Sequence, residues 1–145
     1  MNNKFSERMV TVLEYIKEEA LRLGDETIGV EHLMLGIIRE GGGSAIRVLN
    51  MLGLEMRDLR KVIEEVVSID ERKTLSYHAQ DKDISKQAKN IIDKSFIEIQ
   101  SLEEKEIKTI HILLSMLKDK NNVVYSTLNK LSIDYEKVKE TYISI

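Results

Sequence analysis

The chain has 145 residues, 42% of them hydrophobic and 32% charged, which is enough to bury a core of its own and excludes a disordered tail or a collagen-like chain. The formal charge of −3 comes from interleaved acids and bases and offers no stripe to neutralise phosphates, so no nucleic-acid partner is expected. Cysteine is absent, which removes disulfides, thiol nucleophiles and thiolate metal sites. No run approaches the roughly 18 apolar residues of a membrane span, and the start MNNKFSERM lacks the apolar core of a secretory signal, so a cytoplasmic protein with no membrane partner is expected.

Proline is also absent and aromatic residues are 5%, which favours helices throughout. From Ser6 to Leu23, the apolar residues Met9, Val12, Leu13, Ile16, Ala20 and Leu23 recur at helical spacing, with Ser6 as N-cap and Gly24 as stop. A second helix is expected from about Val30 to Glu40, mostly buried, and is broken by Gly41, Gly42 and Gly43. Ser44 is placed to cap a third helix ending near Gly53. A fourth runs from about Met56 to Val67 with Leu59, Val62, Ile63 and Val66 on one side. Residues 68–82 are polar, carry no periodic stripe and read as a linker.

A shift of 79 residues aligns Phe5–Glu64 with Ile84–Ile143 without a gap. Nine positions are identical, among them Leu23 with Leu102, Ile28 with Ile107, His32 with His111, Leu35 with Leu114 and Asn50 with Asn129. All seven glycines fall in the first copy. The Gly41–Gly43 break becomes Lys120, Asn121 and Asn122, where asparagine tolerates left-handed backbone and lets the break persist. The expected architecture is all-α: one domain over 1–145 made of two tandem four-helix repeats, 5–67 and a divergent 83–145. The eight or so helices pack about a pseudo-twofold axis, so that each small unit covers the other's apolar face.

The segment Glu18-Glu19-Ala20-Leu21-Arg22-Leu23-Gly24, the following Ile28-Gly29-Val30-Glu31-His32-Leu33-Met34-Leu35-Gly36-Ile37-Ile38-Arg39-Glu40-Gly41 and the later Ala45–Leu54 resemble the repeat motif of Clp N-terminal domains. The wording is most similar to the ClpC type. The resemblance implies a non-catalytic recognition domain, which receives substrate proteins and adaptor proteins for an AAA+ unfoldase ring and its Clp peptidase. No phosphate loop of the form G-x-x-x-x-G-K-[ST] occurs in the chain, no cofactor is expected, and no converging nucleophile, base or metal set is found that would make it an enzyme.

The same resemblance implies recognition of phosphoarginine, with Glu31 holding the guanidinium and Thr27 offering a hydroxyl to the phosphate. Glu31 also reads as a favourable first-turn acid, and Thr27 as a cap of the second helix. The position matching Glu31 in the second copy is Ile110, which accepts no hydrogen bond, so one of two such sites is lost. That loss keeps open a structural or regulatory module that binds adaptors only or modulates ring assembly. His32 and His111 lack a second ligand at helical spacing and read as buried imidazoles bonded to a backbone carbonyl. Asn50 and Asn129 read as ties at a helix end. Met34, Met51 and Met56 suit either the core or an adaptable groove.

Overall fold

The computed structural model describes residues 4–68 and 83–145. The first copy contains β1 (Lys4–Phe5), α1 (Glu7–Arg22), β2 (Thr27–Ile28), α2 (Val30–Glu40), α3 (Ser44–Met51) and α4 (Met56–Ser68). The second contains β3 (Asp83–Ile84), α5 (Lys86–Ser101), β4 (Glu106–Ile107), α6 (Thr109–Lys118), α7 (Val123–Lys130) and α8 (Tyr135–Ser144). Every helix start recurs 79 residues later. The protein is all-α, and the described residues include four two-residue strands that helical patterning had not announced. From 69 onward, the stretch expected to be a linker lies outside the described residues; Ser68 closes α4.

Local chemistry explains the repetition. The Oγ atoms of Ser6 and Ser85 accept from Met9 N–H and Ala88 N–H, capping α1 and α5 alike. Both of these helices end in a closure from the residue after a left-handed one, Asp25 N–H to Ala20 O and Glu104 N–H to Ile99 O. The third helices close in the same way, Leu54 N–H to Leu49 O and Ile133 N–H to Leu128 O. Gly24 and Gly53 take the left-handed turns in the first copy. Glu103 (φ 56°) and Ser132 (φ 63°) take them in the second.

The copies interlock rather than merely touch. β1 pairs in parallel with β4, Phe5 opposite Ile107, and β2 with β3, Ile28 opposite Ile84; these two pairings exchange into one another under the 79-residue shift. α2 and α6 are the central helices, apolar nearly all round and buried along most of their length. The third helices cross over, α3 packing on α6 and α7 on α2. One apolar cluster therefore spans both copies.

Three local expectations give way to the packing. Gly43, not Ser44, is the N-cap of α3, and the Ser44 hydroxyl turns to the other copy. Val62 and Val66 are 42% and 46% exposed, while Leu59, Ile63 and Val67 face the core, a stripe rotated from the one expected on α4. The break between α6 and α7 persists without left-handed asparagine: Asn122 is extended, and its side chain caps α7 by accepting from Tyr125 N–H at 2.8 Å.

Candidate functional site

The crossing of α7 over α2 brings two helix N-termini from opposite copies to the rim of one cavity of about 330 Å³. Asp25, Val30 and Glu31 line it from the first copy; Gln87, Asn121, Asn122 and Val123 line it from the second. Among the described residues, the N–H groups of Val30 and Val123 at the first helical positions find no acceptor. Such paired ends present donors and positive dipole ends to an anion. Gln87 braces the far wall, its Nε2 donating to Asp119 Oδ2 at 3.0 Å and to Asn121 O at 2.7 Å.

Glu31 is half-buried on this wall. Its carboxylate folds back over Gly29, so closely that a Cβ on residue 29 would collide with it. The missing side chain at 29 is what makes room for that pose. Thr27 is exposed, lies opposite Asp83 in the β2–β3 pairing and is not part of the cavity wall; Gly29, not Thr27, is the N-cap of α2.

The equivalent place in the second copy is built differently. Lys108 stands where Gly29 does, and Ile110 is 0% exposed. Here α3 and α6 meet N-terminus to N-terminus and cap each other: Ala45 N–H donates to Thr109 Oγ1 at 3.0 Å, and Ile110 N–H to Ser44 Oγ at 3.3 Å. The residues matching these hydroxyls around the Glu31 cavity are Val30 and Val123, so no such mutual cap forms there.

Behind each site lies a buried histidine. His32 Nδ1 accepts from Gly29 N–H and Nε2 lies 2.6 Å from Asp25 Oδ2; His111 Nδ1 accepts from Lys108 N–H and Nε2 lies 2.7 Å from Glu104 Oε1. Because Nδ1 is an acceptor in both, the proton sits on Nε2 and points at the carboxylate. The partners are a backbone N–H and an acid rather than the expected carbonyl. Burial lowers the His111 pKa, and the charge of Glu104 only partly opposes this. These rings orient the α2 and α6 N-termini. Among the described residues, no group of three or more His, Cys, Asp or Glu could hold a metal ion.

Of the other residues singled out from sequence, Asn50 and Asn129 have exposed side chains, and their backbone carbonyls accept at the helix ends. Met34 is core, while Met51 is exposed. The identity of Glu19 with Glu98 pointed to a feature that sequence reasoning passed over: both are 1% exposed. Glu19 pairs with Arg22, Arg39 and Arg60, and Glu98 with Lys118 and the Tyr135 hydroxyl. Burial pushes the Glu19 carboxyl up, but the hydrogen bonds and charges of Arg22 and Arg60 outweigh it and hold the pKa below the usual value. The α7 residues of the Glu31 cavity were also missed, since an inter-copy crossing leaves no local signal.

The family model of the Clp repeat N-terminal domain matches residues 4–131 and, in a second match, 83–144. The chaperone protein ClpB of Oceanobacillus iheyensis is 32% identical over 145 residues, covering 100% of this chain and 17% of that protein. The negative regulator of genetic competence ClpC/MecB of Bacillus subtilis has the same identity and coverage. The chain thus spans about a sixth of the length of these relatives. The Hsp104 N-terminal domain from Candida albicans superposes with a TM-score of 0.75 at 15% identity, covering 97% of this chain and 89% of that one. On the strength of the two repeat matches and the fold they share, the chain belongs to the Clp repeat N-terminal domain family.

Proposed function

We propose that this domain is a non-catalytic recognition module for substrate and adaptor proteins of a Clp unfoldase in the cytoplasm, and that the Glu31 cavity takes a phosphoarginine side chain. The observation that carries this reading is a half-buried carboxylate set between two convergent helix N-termini from different copies. A guanidinium pairs with a carboxylate through two parallel N–H donors, and the attached phosphoryl group then falls to the amides of α2 and α7. Thr27, outside the wall, is not needed in this arrangement. The AAA+ ring and peptidase of a parent assembly would do the chemical work; this chain supplies selection. The capped counterpart at Ile110 favours a second reading, in which the domain serves adaptors or ring assembly without reading the modification.

Calorimetric titration with free phosphoarginine, using arginine and phosphoserine as controls, separates the two. One saturable site is expected, lost in Glu31→Ala. Gly29→Ala should weaken it with little change in melting temperature, because the new Cβ meets only the flexible end of Glu31. Absence of any heat with phosphoarginine, or equal affinity in Glu31→Ala, removes this mode and leaves the adaptor reading.

A further inference from the structure

The second copy's counterpart of the Glu31 cavity has Ile110 in place of the carboxylate, and its Ala45 and Ile110 amides are capped, yet it remains open. A cavity of about 580 Å³ lies between the start of α3, the N-cap of α6 and the end of α8. Arg47 and Lys108 line it, the first exposed and the second half-buried, and among the described residues neither has an acidic partner. The one acidic side chain on the wall, Glu104, is already engaged: it accepts from the Tyr142 hydroxyl at 2.7 Å and pairs with His111 Nε2 at 2.7 Å. A cationic ligand therefore finds no free acidic side chain here, and among the described residues the two cations have no acidic side-chain partner.

The amides narrow the choice of anion. A phosphoryl group is best held by several N–H donors at once, and of the amides at these two helix starts those of Ala45 and Ile110 are taken by Thr109 and Ser44, which leaves only the first-position amides of Ser44 and Thr109. A carboxylate needs only the fork of Arg47 and the ammonium of Lys108. Beside them, Ile143 and Ile145 are exposed on the same rim, where they would cover an aliphatic neighbour of the acid.

We propose that this cavity binds an extended acidic segment of a partner protein, with an Asp or Glu side chain between Arg47 and Lys108 and an adjacent aliphatic residue on Ile143 and Ile145. The two copies would then read different chemistry from equivalent places. This inference does not rest on the phosphoarginine reading.

The test is fluorescence anisotropy of a short labelled peptide alternating Leu and Asp against the intact domain, with Leu–Ser and Leu–Lys peptides as controls. Saturable binding of the Leu–Asp peptide alone is expected, weakening with salt. It should fall about tenfold or more in Arg47→Ala/Lys108→Ala, be kept in Lys108→Arg and be unaffected by Glu31→Ala. Phosphoarginine titration of the same variants gives the opposite pattern if both readings hold, so each fails separately. Equal binding of the Leu–Ser peptide, or unchanged binding in the double variant, overturns the proposal. Amide shift mapping in the unsubstituted domain covers the case of a misfolded variant: shifts must centre on 43–47 and 108, and shifts centred elsewhere overturn it too.

Discussion

The two copies keep one skeleton and differ in how they maintain it. Serine N-caps, buried histidines, buried glutamates and helix closures recur at a constant offset, so these are the features the fold requires. The first copy surrounds Glu19 with three arginines; the second holds Glu98 with one lysine and a tyrosine hydroxyl. The first turns its chain with glycine, the second with Glu103 and Ser132 in the same left-handed region. Backbone geometry has outlasted the residues that make it easy, while the surfaces around positions 31 and 110 have parted company.

The strongest way to break this comparison is to force the first copy's residue on the second. Ile110→Glu should cost roughly 3 kcal/mol or more, since it removes a buried aliphatic side chain and leaves a carboxylate whose fold-back pose is obstructed by the Cβ of Lys108. Adding Lys108→Gly should recover part of that loss, and chemical denaturation of the single and double variants measures it. A double variant no more stable than Ile110→Glu would mean that residues 29 and 31 do not act as a pair.

A smaller effect is expected in the opposite exchange. Gly36 lets α2 approach α1 so closely that a Cβ would lie 3.1 Å from Ile16 Cα and strike the Ile16 side chain. In the second copy the same two positions are the buried Ser115 and Ser95, with Ser115 Oγ donating to Ile91 O at 2.7 Å. Gly36→Ser should therefore destabilise by about 2 kcal/mol through overpacking. Combined with Ile16→Ser it should cost less than the sum of the two single changes, as coupled contacts do. Strict additivity in thermal melts would sink the steric account.

These exchanges also mark what was legible in advance. Helix number, phase and the gapless repeat follow from apolar spacing, because α1, α2, α5 and α6 must each bury a stripe. The burial of Val67 rather than Val66 was not legible, since α4 meets α7 of the other copy and its rotation is set there. Glu31 was legible as a residue type at a motif position. Its surroundings were not: Asn121, Asn122 and Val123 reach it through the α2–α7 crossing, and Ser44 turned out to cap a helix 66 residues away.

The mutual caps allow a milder test of the same divergence. Thr109→Val installs the residue that the first copy has at Val30 and leaves the buried Ala45 N–H without its acceptor, at a cost of about 1 kcal/mol. Ser44→Ala should cost less, because its bond to Ile110 N–H is longer, at 3.3 Å. If neither change alters the melting temperature, the α3 and α6 N-termini are held together by packing alone.

The smallest expected change has the opposite sign. Ser132 sits at φ 63° where the first copy has Gly53 at φ 90° with nothing within 4 Å of an added Cβ. A non-glycine residue is strained at such an angle by about 1 kcal/mol, whereas glycine is not but loses more freedom on folding. Ser132→Gly should therefore raise stability by only about 0.5 kcal/mol, the strain outweighing the entropy. Glu103→Gly should do the same at the turn after α5. A loss of stability in both would mean that the second copy's side chains at these turns contribute more by their contacts than they cost in backbone strain, and that its lack of glycine carries no penalty.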